Sequence, residues 1–308
     1  MTTTLKDVEA AWSLIRPHVR RTPAIELTAG TLGLSFPLAL KLESLQVSGS
    51  FKGRGAFHKL LASSVPPAGI IAASGGNHGA AAAYAARALG HKAEIFVPTI
   101  AAEAKVARLR RYGAVVHQIG TVYADARAAS ETRAAETGAL MVAAYDDPVV
   151  FAGAGSVALE FAEQARFDTL LVAVGGGGLI AGCAAAIGET RKVVAVETEG
   201  TPTLHAALQA GQPVDVKVSG IAADALGASR IGTPNFEIAR RLVRKSVLVG
   251  DDAVRAAQRV LWEELRVVAE PAGATGLAAL MSGAYRSAPG ERVATLICGA
   301  NTDPGSVA

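Results

Sequence analysis

A lysine at position 52 lies in a turn of small and hydroxyl-bearing residues, 48–56, which reads SGSFKGRGA. An apolar, strand-like run at 38–42 precedes this turn, and a helix-like segment from Ala56 follows it. A Gly- and Ser-rich turn between a strand and a helix exposes backbone N–H groups that can bind an anion or a cofactor. Lysine can also form a Schiff base with a carbonyl compound. The turn therefore combines a reactive amine with an anion-binding backbone.

Three further turns follow apolar, strand-like runs and carry groups of a similar kind. One is SGGNHG at 74–79, whose backbone and side chains can donate hydrogen bonds to a carboxylate or a phenolic oxygen. The second is a run of four glycines at 175–178, and the third is CGAN at 298–301. Ligands of open parallel sheets bind beyond the carboxyl ends of the strands. We therefore expect the four turns to converge on one pocket.

The four glycines are the clearest physical signal for an anion. Consecutive backbone N–H groups can face one negative charge at the start of a helix, where the helix dipole favours it. The run lacks the lysine and hydroxyl spacing of a nucleoside-triphosphate loop and the G-x-G-x-x-G spacing of a dinucleotide site. A tight turn that needs glycine only for steric reasons explains this run equally well on its own.

Composition and charge exclude several classes of function. Half of the 308 residues are hydrophobic and 19% are charged, which indicates a soluble globular chain of one large or two smaller domains. The net charge is only +3, and no aromatic residues interleave with the basic group at 108–111, so nucleic-acid binding is not expected. No secretory signal or membrane span is visible, and we expect a cytoplasmic protein. The histidines and cysteines show no metal-ligand spacing, so no metal site is expected from them.

Apolar strands alternate with amphipathic helices along most of the chain, which indicates an α/β protein with mainly parallel sheets. The clearest strands are expected at 70–73, 93–97, 169–174 and 292–297, and the clearest helices at 123–137 and 251–265. The stretch 200–230 is the least regular. It contains Pro202, Pro213 and several glycines.

Taken together, the motifs resemble the fold-type II pyridoxal 5′-phosphate (PLP) enzymes of the serine/threonine dehydratase (ammonia-lyase) and serine racemase group. The matching segments are SGSFKGRGA at 48–56, SGGNHG at 74–79, GGGGL at 175–179, EPAG at 270–273 and CGAN at 298–301, in the expected order. The resemblance implies two open, mainly parallel twisted sheets flanked by helices, as in the tryptophan synthase β subunit. It also implies a discontinuous large domain, 1–67 plus 145–308, a small mobile domain, 68–144, and a homodimer.

The resemblance assigns roles to matching positions. Lys52 would hold PLP and act as the catalytic base, and the remaining cofactor contacts would be Phe51, Asn77, Gly175, Gly176, Gly177, Gly178, Leu179 and Cys298. The substrate carboxylate would bind at Ser74, Gly75, Asn77 and His78, with help from Ser48 and Ser50. The implied reaction is β-elimination from L-threonine or L-serine, which releases a 2-oxo acid and ammonia.

Departures from the family pattern leave alternatives open. Racemases of the group carry a serine where this chain has Gly75, which argues against efficient racemisation. Glu197 matches the first ligand of a family cation site, but Thr203 stands where the racemases have an aspartate, so only a monovalent ion is considered. A dehydratase of a 3-hydroxyaspartate-type or diamino substrate is the runner-up on substrate. A β-replacement enzyme and a non-catalytic binding protein fit the motifs less well.

Overall fold

Within residues 3–307, which the computed structural model describes, ten strands form two separate sheets and twelve α-helices flank them. The strands are β1 (Ala24–Leu27), β2 (Leu38–Lys41), β3 (Ile70–Ala73), β4 (Ala93–Val97), β5 (Val115–Gln118), β6 (Leu140–Met141), β7 (Thr169–Ala173), β8 (Lys192–Thr198), β9 (Val243–Val249) and β10 (Val293–Leu296). The helices are α1 (Leu5–Ile15), α2 (Lys52–Leu61), α3 (Asn77–Ala88), α4 (Glu103–Arg111), α5 (Tyr123–Thr137), α6 (Pro148–Gln164), α7 (Gly178–Ile187), α8 (Thr203–Ala210), α9 (Ala223–Leu226), α10 (Thr233–Leu242), α11 (Asp251–Leu265) and α12 (Pro271–Met281). None of these helices is long and apolar enough to cross a membrane.

The larger sheet has six strands in the order β1-β2-β10-β7-β8-β9. All neighbours are parallel except β1 and β2, which are antiparallel. Every residue of β7 is buried, as its unbroken apolar composition predicts for a central strand covered on both faces. The Lys52, four-glycine and Cys298 turns all follow strands of this sheet, so one edge of the sheet carries three of the four reactive turns.

The smaller sheet has four parallel strands in the order β5-β4-β3-β6. The Asn77 turn follows β3 and leads directly into α3. The predicted fold class, two mainly parallel sheets flanked by helices, is confirmed. Because β3 to β6 all fall within residues 68–144, we retain that range as a proposed small domain. The complement, 1–67 plus 145–308, is the proposed large domain.

The structure adds elements within the stretch 200–230, which looks irregular in sequence, and after it. Helix α8 occupies part of the stretch 200–230, beginning directly after Pro202. Strand β9 was not predicted at all, because its first half exposes Arg244 and Lys245 and lacks a simple alternation. It nevertheless pairs with β8 along most of its length. An edge strand is held on one side only, so its sequence is under weaker hydrophobic constraint than that of a central strand.

A buried ionic cluster fixes helix α2, which begins at Lys52. The guanidinium of Arg54 donates to both carboxylate oxygens of Glu43, over 2.7 and 2.8 Å, and to Glu160 over 2.9 Å. Lys41 on β2 donates to the other oxygen of Glu160. All four charged side chains have no solvent exposure. The cluster therefore ties the first turn of α2 to β2 and α6.

Candidate active site

The Lys52 turn is joined directly to the Cys298 turn. Ser50 pairs with Gly299 in an isolated antiparallel bridge, and the Phe51 amide donates to the Cys298 carbonyl over 3.0 Å. Ser48 adopts a left-handed backbone conformation, with φ of 60°, which is uncommon for a residue with a side chain. These contacts place the lysine beside the cysteine, as the rule for parallel sheets predicts.

The side chain of Lys52 is partly buried, and its amine has a backbone acceptor. Its Nζ donates to the Ala144 carbonyl over 2.6 Å. The loss of water around the amine lowers the pKa of Lys52 to about 8, although the acidic groups of Cys298 and Glu270 work in the opposite direction. Near neutral pH the uncharged fraction of this amine is therefore larger than that of an ordinary lysine, and a nucleophile or a general base requires the uncharged form.

A cavity lies where the turns meet. Its lining includes every residue that the sequence predicts to hold the cofactor: Phe51, Lys52, Asn77, Gly175, Gly176, Gly177, Gly178, Leu179 and Cys298. Tyr145, Leu226 and Glu270 complete much of the remaining wall. A more open depression near Asp168 and Lys192, at the opposite edge of the large sheet, contains none of the predicted residues. The chemistry is therefore concentrated in one enclosed place.

The glycine loop, residues 175–178, is packed too closely for any larger residue at its second position. A Cβ added to Gly176 would lie 2.3 Å from Cγ of Tyr145, and one added to Gly175 would lie 2.8 Å from Cα of Leu226. Gly177 has a φ of +91°, which favours glycine. Neither the Gly176 nor the Gly177 amide has a hydrogen-bond acceptor within residues 3–307. The loop therefore has both steric reasons for glycine and amides available to an anion.

Both polar atoms of the Asn77 side-chain amide are hydrogen-bonded. Its Nδ2 donates to Oε1 of Glu270 over 2.6 Å, and its Oδ1 accepts from Nδ2 of Asn301. The same Asn301 amide donates to the Ser48 carbonyl over 3.0 Å. One of the two amide protons of Asn77 thus remains for a ligand in the cavity. Glu270 and Asn301 belong to the EPAG and CGAN motifs, but neither residue was assigned a role of its own in the sequence.

Two acidic groups of the cavity wall have raised pKa values. Burial raises the pKa of the Cys298 thiol far above its usual range, with a further contribution from Glu270. Burial also raises the pKa of Glu270 to about 7, although the hydrogen bond from Asn77 lowers it. The cavity therefore presents a neutral thiol rather than a thiolate.

The predicted substrate contacts do not all lie on this cavity. His78 lines an adjoining small apolar cavity with Lys52, and its Nε2 lies 2.8 Å from the Val142 carbonyl. Burial lowers the pKa of His78 to about 4, so the ring is neutral and Nε2 must carry the proton that it donates. Ser74 and Gly75 do not line the main cavity, and Oγ of Ser74 accepts from the Gly76 amide.

Two hydroxyls of the Lys52 turn have no partner in the described part of the chain. Oγ of Ser48 and Oγ of Ser50 are both buried and both lack a hydrogen bond. A buried hydroxyl without a partner costs free energy, and such groups are found where a ligand or water completes them. These serines stay predicted substrate contacts.

Glu197 lies behind the glycine loop and is already well supplied with donors. The Leu204 and His205 amides each donate to its carboxylate over 2.7 Å, and Oγ1 of Thr203 lies 3.1 Å away. Burial raises the pKa of Glu197 to about 7. Residues 3–307 contain no cluster of three His, Cys, Asp or Glu side chains that could hold a metal ion.

Tyr145 and Asn235 were missed in the sequence, and Thr203 was considered there only at the cation site. Tyr145 packs against the loop from the segment after β6. Thr203 and Asn235 contact the loop from α8 and α10 through hydrogen bonds to its carbonyls. Tyr145 follows a strand end, which could have drawn attention to it. No local pattern marks Asn235.

Comparison with known proteins shows the family of this chain. Residues 15–299 match the family model described as pyridoxal-phosphate dependent enzyme. The phenylserine dehydratase of Ralstonia pickettii is 37% identical over 100% of this chain and 97% of its own length. The L-threonine ammonia-lyase of Geobacter sulfurreducens is 37% identical over 96% of this chain and 75% of its own length. Maize serine racemase superposes with a TM-score of 0.92 at 30% identity, covering 100% of this chain and 96% of that structure. With its desolvated lysine and glycine loop in one cavity, this chain belongs to the family of pyridoxal-phosphate dependent enzymes.

Proposed function

We propose that the protein is a PLP-dependent dehydratase, or ammonia-lyase, that converts L-threonine or L-serine to a 2-oxo acid and ammonia. The observation that carries this proposal is the desolvated amine of Lys52 in the same cavity as a glycine loop with available amides. The names of the two relatives, L-threonine ammonia-lyase and phenylserine dehydratase, support a β-hydroxy amino acid as the substrate class.

The residues of the cavity fit PLP. Lys52 would bind its aldehyde carbon, and the amides of residues 175–179 would bind its phosphate at the N-terminus of α7. Asn77 would direct its remaining amide proton to the phenolic oxygen, and Phe51 would pack beside the ring. When bound, PLP supplies an electron sink that acidifies the hydrogen next to the substrate's amino group.

Lys52 is the proposed general base. At a pH near its pKa of about 8, about half of its amine is uncharged, and that form can accept the proton from the carbon next to the amino group. The Ala144 carbonyl fixes the amine from one side. In the overall reaction the β-hydroxyl leaves as water, and one water is consumed when ammonia is released. The products are a 2-oxo acid and ammonia.

Cys298 would face the pyridine nitrogen. Because burial keeps its thiol neutral, Cys298 cannot stabilise a positive charge there as a carboxylate would. This limits the charge drawn into the ring, which favours elimination of the β-hydroxyl over transamination. The neutral thiol therefore supports the dehydratase proposal.

The turn at 74–79 is proposed to bind the substrate carboxylate, with Ser48 and Ser50 nearby. The imidazole of His78 already donates to the Val142 carbonyl, so backbone amides and the Asn77 side chain are better donors to the substrate carboxylate. In the proposed arrangement, movement of residues 68–144 towards the rest of the chain would exclude water from the cavity.

Racemisation is the alternative that the likeness to maize serine racemase raises. A racemase needs a second acid or base on the opposite face of the substrate, and this chain offers glycine at position 75. Glycine has no side chain, so Gly75 provides no such acid or base. We expect little racemase activity beside elimination.

A monovalent cation near Glu197 is a separate proposal with less support, since amide donors already occupy the carboxylate. Activity that rises on addition of K⁺ to protein freed of monovalent cations would support it, and unchanged activity would contradict it. No step of the reaction depends on this ion.

The protein is proposed to be cytoplasmic and to form a homodimer. Light scattering on the purified protein would test the dimer, because a monomer at micromolar concentration would contradict it. The catalytic proposal does not depend on the outcome, since every proposed site residue lies in one chain.

The dehydratase proposal is tested with the purified protein and PLP. L-threonine, L-serine, threo-3-hydroxyaspartate and phenylserine are supplied separately, and 2-oxo acid release is followed with Lys52→Ala as the control. Product that depends on Lys52 supports the proposal and ranks the substrates. Absence of product with all four, despite a bound-cofactor absorbance band near ~410–420 nm, would overturn it.

A further inference from the structure

Two side chains outside the glycine loop donate hydrogen bonds to its carbonyls. Oγ1 of Thr203 donates to the Gly175 carbonyl over 2.6 Å. Nδ2 of Asn235 donates to the Gly176 carbonyl over 2.8 Å, and the Gly232 amide donates to the same oxygen over 3.2 Å. The next carbonyl along, that of Gly177, is taken by the first turn of α7. Three successive carbonyls of the loop are thus anchored by residues that do not line the cavity.

Anchoring a carbonyl also sets the direction of the next amide. In a trans peptide the C=O of one residue and the N–H of the next point in opposite directions, and the described chain contains no cis peptide. The bonds to the Gly175 and Gly176 carbonyls therefore turn the Gly176 and Gly177 N–H groups away from Thr203 and Asn235. Neither of these two amides has an acceptor within residues 3–307.

The loop needs such anchors because glycine has few conformational preferences of its own. Four glycines in a row would sample many backbone states without external contacts. Thr203 and Asn235 are both fully buried, and they come from α8 and α10, outside the loop. Thr203 is itself held near Glu197, 3.1 Å away.

Burying the polar amide of Asn235 costs free energy, which packing alone does not explain. The same Nδ2 also donates to the Tyr145 carbonyl over 3.0 Å, whereas Oδ1 is buried without a partner in the described part of the chain. With two carbonyls around Nδ2, the reversed amide would bring three oxygens together, which fixes its orientation. These contacts indicate that Asn235 acts through the two protons of its amide, which join the Tyr145 segment to the glycine loop.

We propose that Thr203 and Asn235 are positioning residues that aim the amides of the glycine loop at the phosphate of PLP. The inference rests on the proposed placement of the phosphate, and it does not depend on which amino acid the enzyme uses. Neither side chain touches the reacting atoms, so both act through the loop backbone.

The test compares two ligands that differ only in the phosphate. Apo protein is titrated with PLP and separately with pyridoxal, and the Schiff-base absorbance gives each Kd. The variants are Thr203→Val, which keeps the shape without the hydroxyl, Thr203→Ser, which keeps the hydroxyl, and Asn235→Leu. Circular dichroism of each apo variant checks that it folds.

Thr203→Val and Asn235→Leu should each weaken PLP binding about tenfold or more, the effect of one impaired hydrogen bond to a charged group, and leave pyridoxal within about twofold. Thr203→Ser should behave like the wild type. Equal weakening of both ligands, or unchanged PLP binding in both variants, would overturn the inference. If Asn235→Leu does not fold, the Val and Ser variants of Thr203 decide the question.

The two proposals fail in different ways. A wild-type protein that binds PLP but forms no 2-oxo acid would contradict the dehydratase and leave this comparison intact. A wild-type protein that binds PLP no more tightly than pyridoxal would overturn the phosphate placement and this inference with it.

Discussion

Replacing Arg54 by methionine should destabilise the protein strongly, although Arg54 does not line the cavity. Its guanidinium makes three hydrogen bonds of 2.7 to 2.9 Å to Glu43 and Glu160, and none of these groups is exposed. Arg54→Met leaves two buried carboxylates with Lys41 as the remaining cation of the cluster. One negative charge then loses its counter-ion inside the protein.

The expected loss follows from this imbalance. Removing one partner of a buried ion pair costs about 3–5 kcal/mol, because the remaining charge stays desolvated. A domain is stable by roughly 5–15 kcal/mol, so the variant loses a large part of its stability. The loss should also reach the site, since α2 begins at Lys52, two residues before Arg54.

Urea unfolding of the apo protein, followed by circular dichroism, measures this loss. Arg240→Met is the matched control, because Arg240 pairs with Glu237 on the surface, with 56% and 46% of the side chains exposed. Such an exposed pair contributes less than about 1 kcal/mol. Adding Glu43→Gln to Arg54→Met should recover part of the stability, because it removes one uncompensated charge.

The reasoning would be refuted by a small effect. If Arg54→Met lowers the free energy of unfolding no more than Arg240→Met does, the cluster does not hold α2 in place. If Glu43→Gln makes Arg54→Met worse rather than better, the cost does not come from the uncompensated carboxylate.

Three further predictions concern the cavity. Gly176→Ala should abolish PLP binding in a titration of the apo protein, because its Cβ would lie 2.3 Å from Cγ of Tyr145. Gly250→Ala, whose Cβ would have its nearest neighbour at 3.8 Å, should bind normally, and equal binding by both variants would contradict the argument. The rate at which apo protein takes up PLP should rise with pH through about 8, because only the uncharged amine of Lys52 attacks the aldehyde; a flat profile from pH 6.5 to 9 would contradict this. The folded-state pKa of Glu270, about 7, lies above its ordinary value of 4.5, so its share of stability is present below pH 4.5 and lost as the pH rises to about 7. Glu270→Gln should therefore flatten the fall in apo-protein stability across this window, and an unchanged slope would show that the pKa is not raised.

Much of the site could be predicted because its chemistry is local in the chain. The lysine turn, the Asn77 turn and the four glycines each follow a strand and open a helix, and each pattern spans fewer than ten residues. Parallel sheets place such turns at one edge, so their convergence needed no knowledge of individual contacts. The alternation of strands and helices likewise predicted the fold class.

Contacts between distant parts of the chain could not be read in this way. Asn77 bonds to Glu270, 193 residues away, and to Asn301, 224 residues away. Strand β9 and helix α10 owe their positions to neighbours in the larger sheet and its helices. Such pairings depend on how the elements stack, and no periodicity along the chain records them.

By itself, the sequence determined which groups are available: a lysine among small residues, a run of glycines, an asparagine at a helix start and a cysteine after a strand. These follow from backbone rules that act over a few residues. Only the tertiary structure decided how these groups behave. Burial lowers the pKa of Lys52 to about 8 and keeps the Cys298 thiol neutral, and Asn235 reaches the Gly176 carbonyl from another helix. Desolvation and orientation come from surrounding atoms, which the chain brings together only when it folds.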